Sequence, residues 1–190
     1  MPNELAGMRV AILVTNGFEQ SELTEPKKAL EDAGAEAPLV SPAGEQVRGW
    51  EHTDWGAKFP VDVSLDTARA ADYDALLLPG GVMNPDQLRW NPQAVAFVKE
   101  FVAARKPIAS ICHGPWTLIE AGAVRGRKVT SWPSLRTDLT NAGGTWVDEE
   151  VIVDDGLVTS RKPDDLPAFN KKMIEVFATG QSQVRQARAV

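Results

Sequence analysis

The sequence predicts an α/β fold, with a mostly parallel sheet and helices on both of its faces. Three observations carry this reading. Met8–Thr15, Ala75–Pro79 and Pro107–Ile111 are short, continuous apolar runs, the pattern of strands covered on both sides. Segments with apolar residues at helical spacing alternate with them, as in Val95, Phe97, Val98, Phe101 and Val102 of Pro92–Arg105. Gly, Pro, Asn and Asp punctuate the junctions. Such alternation implies crossover-connected parallel strands.

Taken in order, Met1–Gly7 reads as a lead-in and Met8–Thr15 as a central strand that opens into Asn16-Gly17-Phe18-Glu19. Ser21–Ala33 reads as a helix, with Ser21 as cap, Glu22 and Glu25 in its first turns, and Gly34 as stop. Glu36–Ser41 is a second strand, and Pro38 points to a sheet edge. Pro42–Pro60, rich in Gly and Trp, reads as a hairpin or excursion, and Leu65–Ala71 as a helical turn or two. Ala75–Pro79 ends in Gly80-Gly81, whose backbone N–H groups are free to converge on an anion or oxyanion. After the Pro92–Arg105 helix, Lys106–Gly122 reads as strand, sharp elbow and helix, with Gly114-Pro115 suited to the turn and the first helical residue. Lys128–Trp132 is a strand and Ser134–Ala142 a helix. Val151–Asp154 and Leu157–Ser160 form a hairpin turning at Asp155-Gly156, and Asp164–Phe177 is the last helix. Residues 1–180 are expected to form one domain, with 181–190 a frayed tail.

The totals exclude several classes. With 190 residues the chain is long enough for a substantial core, and a formal charge of −6 argues against a nucleic-acid surface. The densest basic cluster, Arg125-Gly126-Arg127-Lys128, reads as a solvated turn. A single cysteine excludes an internal disulfide and fits a reducing compartment. Val10–Val14 is too short for a signal core, and nothing approaches the roughly 20 apolar residues of a membrane span, so a cytoplasmic location is expected. One cysteine and two histidines make no structural zinc site. No GxxxxGK[ST], no GxGxxG after the first strand and no GxSxG is present. No metal or organic cofactor is expected.

In parallel sheets, ligands bind where the strands' carboxyl ends meet loops. Three such loops carry chemistry here: Glu19 after the first strand, Gly80-Gly81 after Ala75–Pro79, and Cys112 at the elbow. A thiol beside a helix amino terminus and an acid is tuned toward thiolate. Glu19, next to Phe18, is placed for partial desolvation and a proton-donor role. His113 is either a general base for Cys112 or a structural histidine, because adjacent side chains on a tight turn usually diverge. His52 reads as structural. The six tryptophans are scattered and read as core or interface; Trp116, directly after the elbow, is the one expected to line the site.

The motifs N-G-F-E-Q-S-E-L, L-L-L-P-G-G, A-S-I-C-H-G-P and G-R-K-V-T-S-W-P, in this order from about Met8 to Phe177, resemble the PfpI-type intracellular protease family. That family lies in the superfamily of the Parkinsonism-associated deglycase and the class I glutamine amidotransferase-like domains. The resemblance implies a flavodoxin-like three-layer sandwich with a nucleophile elbow at Cys112 and Glu19 as its acidic partner. It also implies that Gly80, Gly81 and Gly114 line the site, with the backbone N–H after Cys112 as an oxyanion donor. Family members form homodimers or larger assemblies, in which an acid after the Gly-Gly loop approaches the neighbour's Cys-His; the matching position is Asp86. Three functions follow as expectations. The first is a stress-related deglycase or glyoxalase acting on small carbonyl compounds or glycated amines. The second is a peptidase using Cys112, His113 and a partner's Asp86. The third is a redox sensor or chaperone acting through oxidation of Cys112.

Overall fold

The structure, a computed structural model, describes residues 3–188, with side chains for residues 3–180. In chain order the elements are β1 (Val10–Leu13), β2 (Phe18–Glu19), α1 (Ser21–Asp32), β3 (Leu39–Ser41), β4 (Gln46–Glu51), β5 (Asp54–Pro60), β6 (Val63–Ser64), β7 (Ala75–Leu78), α2 (Met83–Trp90), α3 (Pro92–Ala103), β8 (Ile108–Ile111), α4 (Pro115–Glu120), β9 (Lys128–Val129), α5 (Arg136–Asn141), β10 (Thr145–Trp146), β11 (Val151–Asp154), β12 (Leu157–Ser160) and α6 (Leu166–Arg188).

Seven strands form the central sheet in the order β11-β12-β8-β7-β1-β3-β6. All pairs are parallel except β11–β12, which are joined by the turn at Asp155 (φ +45°) and Gly156 (φ +81°). Positive φ at both turn residues matches the twist of a two-residue hairpin.

The apolar runs are explained by burial on both faces. Val10 and Ile12 of β1, with Val14 just after it, enter one core with α1 (Leu23, Leu30) and α6 (Leu166, Phe169, Met173, Phe177). Ala11 and Leu13 enter the other, with Leu88 of α2, Phe97, Val98 and Phe101 of α3, Leu118 of α4 and Leu139 of α5. β7 and β8 alternate the same way, so the sheet lies between two helical layers. Each fully buried Phe or Leu contributes about 1.5–3 kcal/mol. The architecture is the flavodoxin-like sandwich the sequence implied.

Several local expectations are corrected. The second strand is not an edge: β6 adds outside β3, and Pro38 sits just before the strand, where its missing N–H costs no ladder bond. Of the two readings for 42–60, hairpin or excursion, the hairpin is the one present: β4 and β5 pair and join β2 in a separate three-stranded sheet. A helix, α2, fills a stretch to which the sequence reading assigned no element; Asn84-Pro85-Asp86 falls in its first turn, where Pro is tolerated. The strand expected at Lys128–Trp132 shortens to two residues and pairs with β10 outside the main sheet. Ser21 is not a cap, and the helix expected from Ser134 begins at Arg136: Gln20 and Leu135 precede α1 and α5 without side-chain cap bonds. The final helix starts at Leu166 after a single 3₁₀ turn and continues to Arg188, through most of the stretch expected to fray. Residues 189–190 of that stretch lie outside the described residues.

Candidate active site

β1, β7 and β8 end side by side, and their exit loops converge on Cys112. The cysteine has φ +61°, in the left-handed region that costs a non-glycine residue on the order of 1–3 kcal/mol. Backbone bonds hold it there. Cys112 N–H donates to Ser160 O (3.1 Å), Trp132 N–H to Cys112 O (2.9 Å), and Gly114 N–H to Ile111 O (2.9 Å). Gly114 has no room for a side chain, since a Cβ would stand 2.6 Å from Leu78 O and from Ser110 Oγ. The strained elbow read from the sequence is present.

The acid against the sulfur is Glu22, not Glu19. Glu22 occupies the first turn of α1, is fully buried, and its Oε2 accepts a bond from Gly80 N–H at 2.9 Å. Its carboxyl also hydrogen-bonds the Cys112 thiol. Burial is the main cause raising its pKa to about 8, opposed by the sulfur and by the Gly80 and Gly81 N–H groups and reinforced by the charge of Glu19. Oε1 makes no conventional hydrogen bond, which makes it the natural seat of a retained proton.

Glu19 is half-buried on β2, its carboxyl held by the backbone N–H of His52 at the turn of the β4–β5 hairpin. Burial raises its pKa, His52 opposes this, and nearby Glu51 adds to it. The two-residue strand β2, paired with β4 through Phe18↔Gly49 and Glu19↔Trp50, sets this orientation. Glu22 shares the sequence motif and the first-turn position, but which of two acids three residues apart turns inward depends on where β2 ends and α1 begins.

Cys112 is 6% exposed, and burial pushes its thiol well above the free-cysteine range, with the Glu22 charge as the second cause. The N–H groups of Gly81 and His113 pull the other way. The expectation of a thiol tuned toward thiolate by a helix amino terminus and an acid is therefore corrected: burial and the acid's charge both push the other way. Both Cys112 and Glu22 therefore hold their protons at neutral pH, and the sulfur ionises most readily while Glu22 stays protonated.

Gly80 and Gly81 are where the sequence placed them. A Cβ on Gly80 would collide with Glu22 Oε2 and stand 2.6 Å from Cys112 Cβ; one on Gly81 (φ +76°) would stand 2.6 Å from Glu19 N. Asn84, unnoticed in the sequence, is fully buried and staples this loop. Its amide donates to Pro79 O (3.0 Å) and Gly80 O (3.2 Å), and its Oδ1 accepts from Thr15 N–H (2.7 Å).

His113 does face the sulfur, with Nδ1 3.2 Å from Sγ. Burial lowers its pKa to about 4, so the ring is neutral at pH 7. Two indoles clamp it: Trp116 edge-on at 5.1 Å, itself donating from Nε1 to Asp138, and Trp132 stacked at 5.9 Å with a 23° tilt. Trp132, which the sequence left as core or interface, thus joins Trp116 at the site; its only sequence signal was its place in the S-W-P motif. Asp86 is not part of the cluster in this chain. It pairs with Arg89 at 3.0 Å, and Arg89 lies over the Trp116 ring at 4.5 Å. Among the described residues, no three His, Cys, Asp or Glu side chains come together as metal ligands, and no helix is long and apolar enough to cross a membrane. An open cavity of about 840 Å³ lies elsewhere, at the amino-terminal ends of β8 and β12 beside α6.

Fold and site together define a flavodoxin-like α/β protein whose one cysteine stands on a strained elbow, buried against a proton-retaining carboxyl. Residues 8–176 match the DJ-1/PfpI family, and the chain belongs to that family. It is 47% identical over 173 residues to General stress protein 18 of Bacillus subtilis, covering 90% of this chain and 98% of that one. It is 44% identical over 171 residues to Protein/nucleic acid deglycase 2 of Escherichia coli, covering 89% and 97%. Among solved structures, a two-domain protein of Anabaena variabilis with DJ-1/ThiJ/PfpI-like and ferritin-like domains superposes with a TM-score of 0.83 at 35% identity. That match covers 88% of this chain and 47% of the other, so the present chain spans about half of that protein's length.

Proposed function

We propose that this protein is a stress-related, cysteine-dependent hydrolase of deglycase or glyoxalase type, acting on α-oxoaldehydes or on their adducts with amines. The observation that carries the proposal is the buried Glu22–Cys112 pair, with a carboxyl pKa of about 8 and the Gly81 and His113 N–H groups directed at the sulfur. The names of two relatives, a general stress protein and a deglycase, support it.

For a glyoxal adduct, RNH–CH(OH)–CHO, the sulfur adds to the aldehyde carbon and the carbonyl oxygen takes up a proton, giving a thiohemiacetal. The hydrogen on that carbon then leaves as a proton while the C–N bond breaks, and the amine departs carrying the proton supplied by Glu22. The resulting enediol tautomerises to a 2-hydroxy thioester. One carbon is oxidised as its neighbour is reduced, so the two changes balance within the substrate. Water cleaves the thioester, releasing the 2-hydroxy acid and restoring the thiol. Glu22 suits this sequence because a carboxyl titrating near neutrality both gives and takes a proton at little cost. A thiol with a carboxyl beside it, acting on a reactive aldehyde, is asked for less than one acting on a resonance-stabilised peptide.

The test is release of glycolate and free amine from glyoxal-treated Nα-acetyllysine, followed by NMR. Cys112→Ser is expected to abolish release and Glu22→Gln to cut it at least a hundredfold; equal release by Cys112→Ser overturns the proposal. A cytoplasmic location and a homodimeric or larger assembly belong to the same proposal, the latter measured by light scattering.

A peptidase reading has one observation in its favour, the 3.2 Å approach of His113 Nδ1 to the sulfur. Among the described residues the ring has Trp116 and Trp132 as clamps and no carboxylate as its hydrogen-bond partner, so this reading needs an acid from a second subunit. Cleavage of a fluorogenic peptide that survives in Cys112→Ser would remove it.

A further inference from the structure

We propose that the cavity at the amino-terminal end of the sheet is a binding site for an aliphatic carboxylate, with Arg105 and Arg127 receiving its head group. The site is separate from the elbow and does not depend on the hydrolase reading. Cys112 follows the carboxyl end of β8, whereas Pro107 and Ile108, at the strand's other end, line this cavity.

The first observation lies at the end of α3. α1, α3, α4 and α5 all close with the same two backbone bonds, made by the two residues after the cap. In α1 these are Gly34 N–H to Glu31 O and Ala35 N–H to Leu30 O; in α3 they are Arg105 N–H to Val102 O and Lys106 N–H to Phe101 O. The first residue of each pair is left-handed. Gly34 (φ +92°), Gly122 (φ +71°) and Gly143 (φ +92°) fill that place on three of the helices, and Arg105 (φ +52°) fills it on α3. A side chain there is strained where glycine is not. An arginine at the helix end that lines a cavity is a local cost with a use for its guanidinium.

The cavity itself supplies the second observation. Its volume, about 840 Å³, suits a small organic ligand. Part of its wall is apolar: Pro107 and Leu157 at the strand ends, Val153 of β11, which is 47% exposed, and Val176 of α6. The charged groups are Arg105, Lys106, Arg127 and Lys172 against Asp155 and Glu175. Lys172 is taken by Glu175 at 2.6 Å, and Lys106 donates to Ala70 O and Tyr73 O. Arg127 donates from Nη1 to Asp154 O (2.9 Å) and Asp155 O (3.1 Å), two carbonyls that hold the guanidinium in place without neutralising it. Among the described residues neither Arg105 nor Arg127 has an ion pair. The lining is thus positive in a chain whose formal charge is −6.

An anion with an apolar body fits both parts of this lining. A guanidinium fork takes a carboxylate through two parallel bonds, and the valines cover a hydrocarbon chain. Among the described residues no aromatic side chain lines the cavity, so a nucleotide base has nothing to stack on. Asp155 repels a doubly charged phosphate more than a single carboxylate.

The test is titration of the full chain with octanoate, octanol, acetate and inorganic phosphate, followed by calorimetry and by backbone amide signals in NMR. Octanoate is expected to bind at least about ten times more tightly than octanol, which lacks the charge, and than acetate, which lacks the chain. The signals of Val153, Gly156 and Thr179 should shift while that of Gly114 at the elbow stays in place. Arg105→Gly supplies the residue the turn prefers. It should weaken octanoate about tenfold, raise Tm by about 2–4 °C and leave turnover at Cys112 unchanged. Val153→Ser should weaken octanoate about threefold with acetate unaffected. No octanoate binding, equal binding of octanoate and octanol, phosphate binding as tight as octanoate, or full affinity in Arg105→Gly overturns the site. A lower Tm in Arg105→Gly assigns the arginine to the fold and overturns it as well. Turnover is read separately, so failure of the hydrolase reading leaves octanoate binding standing, and the reverse holds too.

Discussion

Glu19 and Glu22 lie three residues apart in one motif, yet the fold assigns them to different regions. Glu19 belongs to β2, half-buried against the hairpin turn at His52, where a backbone N–H and solvent share its charge. Glu22 belongs to α1, fully buried beneath the Gly80-Gly81 loop, where its partners are one backbone donor at 2.9 Å and a thiol. Desolvation is the first cause of the upward shift in both, but only the fully buried carboxyl is raised to about 8. The difference teaches that proximity in sequence to a nucleophile's loop says little; the depth of the carboxyl decides whether it holds a proton at neutral pH.

The strongest way to break this comparison is to exchange the two amides. Glu22→Gln is expected to lower kcat/KM by a factor of about 10²–10⁴, and Glu19→Gln by less than tenfold, in the same glyoxal-adduct assay. Comparable losses in both would erase the distinction. Gly80→Ala should come next. Its methyl must displace Glu22 or Cys112, so a loss of about 1–3 kcal/mol in denaturant unfolding is expected together with a large fall in activity. Full activity in Gly80→Ala would show that the packing beneath the loop is not needed.

The pH dependence of stability sharpens the comparison further. Glu22 has a folded pKa of about 8 against an ordinary carboxyl value of 4.5, so the folded state binds the extra proton between those values. Its contribution is fully present below about pH 4.5 and is lost as pH rises through about 8. The buried thiol, also raised, extends the loss to higher pH. Glu22→Gln, which mimics the protonated acid in size and lacks the charge, should therefore melt above the wild type at pH 9 by more than it does at pH 5. The opposite trend would show that Glu22 is ionised in the fold. The smallest effect belongs to Glu19→Gln. Removing its charge should lower the apparent pKa of the Glu22–Cys112 pair, read from the pH dependence of iodoacetamide labelling of Cys112, by less than one unit.

Much of this arrangement was legible in the chain. The apolar runs at Val10–Leu13, Ala75–Leu78 and Ile108–Ile111 are buried on both faces, so continuous hydrophobicity could mean only central strands. Cys112 was legible because Gly114 and Pro115 leave a strand few ways to turn into a helix, and Gly80-Gly81 because two glycines after a buried strand demand a close approach. The acid was misread by three residues. Periodicity places both glutamates at the β1 exit, and the choice depends on the pairing of β2 with a hairpin some 30 residues away. Asn84 and Trp132 were missed for a related reason. Their roles rest on contacts with Thr15 and His113, neither of which is local in sequence.

Hydrophobic periodicity and the glycine and proline positions by themselves determined the layers, the strand ends that meet, and the sulfur at the bend, because these follow from local sterics and the need to bury both sheet faces. Which carboxyl reaches that sulfur, how far its proton affinity rises, and which indole stands over the neighbouring imidazole were decided only by tertiary packing. Desolvation and stacking depend on what lies within a few ångströms in space, and no order of residues along the chain states that.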